Sequence, residues 1–188
     1  MSASAQTSAA LCRDFPFGAL DVRGFSPRDD IAWFHDWVRR DYAKFWGMTE
    51  KSPEAVAAEY DRLLARPGYE VVVGRTDGTP RFVGELYDPR TDPVGEVYDP
   101  RDTDRGIHFI AAPRTGPPQS GFTGRALSVV LALAFERPGI ERVLVEPDHR
   151  NEKMVQLCRR LGFDAGRIVT LPDKQARLMF LDRRDFKP

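Results

Sequence analysis

Apolar residues follow two rhythms along this chain. Between 27 and 65 they recur at helical spacing, with Ile31, Phe34, His35 and Val38 on one side and Trp33 and Trp37 on a neighbouring stripe. Ser26-Pro27 and Ser52-Pro53 each place a capping residue before a proline at the first helical position, so two helices start there. The second runs to about 65, where Pro67-Gly68 stops it. From 70 onward the runs shorten to strand length. Segments 70–74 and 81–87 read as partner strands joined by the turn Thr76-Asp77-Gly78. Further strands are predicted over 20–25, 106–111, 142–145, 168–171 and 176–181. Gly116-Pro117-Pro118-Gln119-Ser120-Gly121 leads into a helix over 122–135, and a last helix over 151–161 ends at Gly162 in the position glycine favours.

The order is β α α β β β α β α β β. Three consecutive strands in the middle rule out an all-parallel sheet and predict an α/β fold with a mixed central sheet flanked by helices. The Ser/Ala-rich start reads as a disordered tail, 1–15, ahead of one domain over 16–188. Segment 88–105 reads as a long polar loop, carrying Asp88, Asp92, Glu96, Asp99, Asp102 and Asp104. Such acids usually form a solvated face, although near a pocket mouth they would suit a cationic amine. Within this region Gly84-Glu-Leu-Tyr-Asp-Pro-Arg returns eleven residues later as Gly95-Glu-Val-Tyr-Asp-Pro-Arg, a pattern that reuses an Asp-Pro turn.

Composition narrows the classes. Hydrophobic residues make up 41% and charged residues 30%, and 28 basic residues balance 28 acidic ones. That balance argues against a nucleic-acid partner. No apolar run approaches the roughly 18–20 residues that span a bilayer, so no membrane partner is expected. Cys12 and Cys158 have no metal-ligand spacing and suit a reducing cytosol, so the cytoplasm is the expected compartment.

Four places could carry chemistry. Gly121-Phe122-Thr123-Gly124-Arg125 opens a helix, where unsatisfied amides and the helix dipole can hold a phosphate; a glycine-rich helix start without ligand reads equally well. Asp148 and Asn151 follow a strand and precede a helix, as a base and a ligand-binding amide or as plain caps. His108 lies within an apolar strand, where histidine is more often a packed group than a proton carrier. Lys44-Phe45-Trp46-Gly47-Met48 is core or the wall of an aliphatic pocket.

Together these segments resemble the GNAT superfamily of acyl-CoA N-acyltransferases. Asn151 with Cys158, Gly162 and Phe163 matches its Asn…Tyr…Gly-Phe spacing. Phe45-Trp46-Gly47-Met48, Glu85-x-Tyr87, Gly106-x-His108-Phe109 and Glu146-Pro147-Asp148-x-Arg150-Asn151 resemble the branch that builds hydroxamate siderophores. The stretch Thr170-Leu171-Pro172-Asp173-Lys174-x-Ala176 is most similar to its desferrioxamine type. The resemblance implies a GNAT fold, with acetyl-CoA or succinyl-CoA as co-substrate and an N-hydroxylated diamine such as N-hydroxycadaverine as acceptor. It implies direct attack on the thioester, giving a hydroxamate, with no metal in the transfer. It assigns catalysis to the pair His108 and Asp148; our own expectation is that His108 takes the amine proton and that Asp148 orients it or holds the hydroxylamine. The cofactor is expected at Gly121, Phe122, Thr123, Gly124 and Arg125, whose backbone amides would hold the pyrophosphate, and at Asn151, and the acceptor pocket at Trp46, Glu85 and Tyr87. Cys158 stands where the superfamily has its general-acid tyrosine, and the glycine loop is shifted by one residue at Gln119 and Gly124. Other acceptors (lysine, N6-hydroxylysine, ornithine or an antibiotic amine) and a non-catalytic acyl-CoA-binding module remain alternatives, and a homodimer is compatible with either.

Overall fold

A computed structural model describes residues 13–15, 18–116 and 119–187. The strands are β1 (Arg13–Phe15), β2 (Gly18–Gly24), β3 (Glu70–Thr76), β4 (Thr79–Tyr87), β5 (Asp104–Ala111), β6 (Arg142–Val145), β7 (Arg167–Thr170) and β8 (Gln175–Asp182). The helices are α1 (Pro27–Val38), α2 (Pro53–Leu64), α3 (Phe122–Glu136) and α4 (Glu152–Arg160). The strands lie in the order β1-β2-β3-β4-β5-β6-β8-β7. All neighbours are antiparallel except β5 and β6, whose parallel pairing follows from the α3 crossover.

The mixed sheet matches the expectation from the strand order. The tail expectation is corrected for Arg13–Phe15, which pair with Gly18–Leu20 as an edge strand. Their sequence, Arg-Asp-Phe, has no alternation to betray it. Cys12, the rest of that tail and Pro117-Pro118 lie outside the described residues. The long loop is shorter than expected, because β5 begins at Asp104 and two 3-10 turns, Pro89–Thr91 and Pro93–Glu96, fold the rest.

Alternation along each strand sorts side chains between two cores. Phe82, Leu86, Ile107, Val143 and Val145 face α3 and α4. Val71, Val73, Val83, Tyr87, Ile110 and Leu144 face α1 and α2 with Phe34, Val38, Val56 and Tyr60. By the same period of two, Glu85, His108 and Glu146 point to the α1/α2 side. Gly84 brings α3 close, since a Cβ there would sit 2.8 Å from Val130. Gly106 leaves room for the Tyr87 ring, which a Cβ would meet at 2.2 Å.

One irregularity positions the site. The β5–β6 ladder holds only from Asp104↔Arg142 to Gly106↔Leu144. Beyond Gly106, β5 continues beside β4 to Ala111, while β6 stays with β8. The two parallel neighbours therefore part, and His108 and Glu146 stand just past the point of separation.

Candidate active site

The site begins with a cross-strand pair. Glu85 on β4 lies directly opposite His108 on β5, and such opposed side chains are near neighbours. His108 Nδ1 meets Glu85 Oε2 at 2.7 Å, and Nε2 meets Glu146 Oε1 at 2.5 Å across the opening between β5 and β6. Tyr60 and Tyr69 donate their hydroxyls to Glu85, each at 2.6 Å, and Tyr87 donates to Glu146 at 3.2 Å. Lys174, in the β7–β8 turn, approaches Glu146 Oε1 at 3.5 Å. The ring of His108 lies 4.8 Å from Tyr87 and 6.3 Å from Trp46 between centroids. Glu85 and Glu146 are buried, while the His108 side chain keeps 29% exposure, so the histidine is the accessible member.

Two acidic partners define the protonation of the ring. Ionised carboxylates only accept hydrogen bonds, so both ring nitrogens must carry hydrogen. Burial opposes that charge, but Glu146 and Glu85 outweigh it and push the His108 pKa up to about 10. Burial likewise works against the charge on Glu146, and His108 with Lys174 overcomes it, holding that carboxyl down at about 2. Glu85 is also lowered: burial raises it, and the bonds from His108, Tyr60 and Tyr69 prevail. At neutral pH the centre is therefore an imidazolium between two carboxylates. A base role for His108, expected from the sequence, is open to it only after that proton leaves.

The structure does not join Asp148 to His108. Asp148 accepts from the Arg150 backbone at 2.9 Å and from its guanidinium at 2.9 and 2.7 Å. Those bonds hold Asp148 at about 2. Arg150 in turn lies 5.9 Å from the Phe45 ring, in the 3-10 turn Asp41–Trp46. That turn is tied to the other side of the opening, where Tyr42 donates to the Ala111 carbonyl at 3.2 Å. Asp148 thus reaches the site through Arg150 and the turn that carries Trp46. Asn151 caps α4, accepting from the Met154 amide at 3.3 Å, which is the bland reading of that residue.

For a phosphate-bearing donor, the start of α3 fits. Gly121 adopts φ +75°, and no side chain caps the amides that follow. Gly121 and Thr123 are exposed, whereas Gly124 faces Leu157 of α4, so its small size serves packing. Arg81, missed from the sequence, donates to Gln119 at 2.7 Å and lies 4.9 Å from the Phe122 ring, while its buried Nε finds no partner among the described residues. Arg125 adds a second guanidinium beside Gly121.

This arrangement has relatives. Residues 26–171 match the family model described as an acetyltransferase (GNAT) domain. The chain belongs to the GNAT acetyltransferase family. An N(6)-hydroxylysine O-acetyltransferase of Escherichia coli is 22% identical over 89% of this chain. The chain spans about half the length of that relative, 53%. An uncharacterised protein from Bacillus halodurans has the same fold at TM-score 0.86 and 24% identity, over 95% of this chain and 92% of that one. An aminoglycoside acetyltransferase, AAC(6')-Ib, solved with ribostamycin and coenzyme A, gives 0.76 at 21% identity, over 88% and 94%. A spermidine N-acetyltransferase from Vibrio cholerae, solved with CoA and spermine, gives 0.66 at 15% identity, over 88% and 96%.

The expected acceptor residues Trp46, Glu85 and Tyr87 do converge on His108. Sequence reasoning missed Glu146 as a partner, together with Tyr60, Tyr69 and Lys174. A glutamate directly after the apolar run Arg-Val-Leu-Val was the available signal, because alternation turns it to the His108 side. The tyrosines come from outside the motifs and carry no such signal. Cys158 is buried in the α3/α4 core, and burial raises its thiol to about 12, so it cannot replace the superfamily's tyrosine as an acid. The acids of the 88–104 region are mostly engaged locally: Asp88 and Asp102 bind Arg90, Asp92 lies 3.5 Å from Arg66, and Asp104 binds Arg142. No helix among the described residues is long and apolar enough to cross a membrane.

Proposed function

We propose that this enzyme transfers an acetyl or succinyl group from acyl-CoA to the nitrogen of an N-hydroxylated diamine, such as N-hydroxycadaverine, producing a hydroxamate. The observation that carries the reading is the state of His108. An imidazolium clamped by Glu85 and Glu146 offers no lone pair at neutral pH, so the site suits a nucleophile that is already unprotonated. An N-hydroxylamine meets that condition, because the electron-withdrawing oxygen makes its nitrogen much less basic than an alkylamine. The motif order and the similarity to an enzyme named for hydroxylysine support the same class.

In this mechanism the amides of Gly121, Thr123 and Gly124 at the start of α3, with Arg81 and Arg125, hold the pyrophosphate, and the thioester lies in the opening between β5 and β6. His108 places positive charge where the carbonyl oxygen becomes an anion, and its two carboxylates fix the ring in place. Trp46 and Tyr87 wall the acceptor's methylene chain. Asp148 positions Arg150 and, through Phe45, the turn carrying Trp46. No step requires a metal.

A thiol-release assay tests the proposal. Acetyl-CoA and succinyl-CoA are each offered N-hydroxycadaverine, N6-hydroxylysine, cadaverine, lysine, spermidine and kanamycin at neutral pH. The hydroxylated amines are expected to release CoA fastest, with a hydroxamate that colours with ferric iron. Faster turnover of an unhydroxylated amine than of its hydroxylated counterpart would contradict the proposal.

A further inference from the structure

Breaking the thioester leaves negative charge on sulfur, and the described site has few groups able to meet it. Cys158 is buried on the other face of the sheet. The hydroxyls of Tyr60, Tyr69 and Tyr87 are committed to Glu85 and Glu146. Both N–H groups of His108 point at carboxylates. Lys174 differs. Its ammonium carries three donors, and the structure engages it with one oxygen, at 3.5 Å, a longer distance than the 2.5 Å from His108 to that same oxygen. Its side chain retains 19% exposure.

The backbone holds Lys174 in that place. Its carbonyl accepts from Leu171 at 2.8 Å, closing the β7–β8 turn. The next residues are stitched to the segment after β6: His149 donates to the Gln175 carbonyl at 3.0 Å and Arg177 to the Pro147 carbonyl at 2.8 Å, with a bridge between Asp148 and Ala176. The hairpin and the Glu146 segment therefore form one rigid unit, and a cation is set beside the point where β5 and β6 part.

We propose that Lys174 is a further catalytic residue, its ammonium stabilising the departing thiolate. This rests on the acyl-CoA reading given above. In the step, the nitrogen lone pair forms the C–N bond and the C–S pair leaves with sulfur. Sulfur leaves as a thiolate beside the Lys174 ammonium, and the acylated nitrogen releases its proton to solvent.

The test uses CoA itself, bound to the full chain, with its thiol titrated by the ultraviolet absorption of the thiolate. A free thiol of this kind ionises at about 8.5. Wild type and Lys174→Arg are expected to lower the bound thiol's pKa by about one unit, a tenfold change in ionisation. Lys174→Met is expected to return it to the free value. Its kcat with acetyl-CoA should fall by about 10²-fold, the scale of removing one preorganised donor. An aryl thioester, whose thiol leaves unaided, should restore most of the rate. Circular dichroism and CoA affinity unchanged from wild type would place the loss in chemistry. A bound thiol pKa equal in wild type and Lys174→Met overturns the role of Lys174 alone. Failure of the wild type to bind CoA overturns the acyl-CoA reading with it.

Discussion

Two buried carboxylate centres in this molecule grow out of the same seven-residue pattern and behave differently. The first copy, starting at Gly84, lies in β4, where alternation turns Glu85 and Tyr87 to one face and toward His108 and Glu146. The second, starting at Gly95, opens at the end of a 3-10 turn, so Glu96 is exposed while Tyr98 turns inward. Tyr98 donates to buried Asp104 at 3.2 Å, which Arg142 grips at 2.8 and 2.7 Å. The Arg142 guanidinium lies 4.3 Å from the Phe180 ring. The partner cation decides the outcome. Arginine stays charged at any working pH, so the Asp104 centre is a fixed clamp. The His108 side chain keeps 29% exposure where the Arg142 side chain keeps 13%, so the Glu85–His108–Glu146 centre can present its charge to a bound carbonyl and take part in chemistry.

The strongest test of this contrast is removal of each cation's partner or of the cation itself. His108→Ala is expected to lower kcat by roughly 10²–10³-fold, the scale of removing one preorganised charge at a developing oxyanion, while CoA still binds by calorimetry. Near-wild-type turnover would remove His108 from the mechanism. Asp104→Asn strands Arg142 and should cost about 3–5 kcal/mol in urea unfolding, yet leave the turnover of folded enzyme unchanged. Loss of rate at full stability would turn the clamp into part of the site.

The Glu85–His108–Glu146 centre should also show itself with pH. The His108 pKa is raised from 6.5 to about 10, so its stabilisation is complete below 6.5 and is lost as pH climbs through about 10. Glu146 is lowered from 4.5 to about 2, so its contribution is present above 4.5 and disappears as pH falls through about 2. Thermal melts across this range should show wild type losing its alkaline-sensitive part, and His108→Ala lacking it. An identical alkaline decline in both proteins would assign that loss elsewhere.

The overall fold was legible because its signals are local. Proline at the first helical position, Gly162 after α4 and the apolar runs placed the helices and all strands but β1. The site was half legible. Motifs marked His108, Glu85, Tyr87 and Trp46, and the structure unites them. The pairing of His108 with Glu146 in place of the expected Asp148 was not readable, because it depends on β5 and β6 parting after Gly106 and on Arg150 reaching back to Asp148. Tyr60, Tyr69 and Lys174 were hidden for a similar reason: each comes from a different element, and only the register brings them to the two glutamates.

Smaller effects sharpen the picture. Asp148→Asn loosens Arg150 and with it the Phe45–Trp46 turn, and should reduce kcat/KM about tenfold through misplacement of the acceptor. A loss as large as that of His108→Ala would mean direct contact with the reacting atoms. Cys158→Ala should leave kcat unchanged and cost on the order of 1 kcal/mol of stability, as a core substitution does. A selective loss of rate would return Cys158 to the chemistry.

The central claim is that His108 is an imidazolium held by two carboxylates. Titration of its ring nitrogens by NMR in isotopically labelled, ligand-free protein measures this directly. Both nitrogens are expected to stay protonated through neutral pH and to titrate near 10. Titration near the ordinary value of about 6.5 would contradict the clamped-imidazolium account.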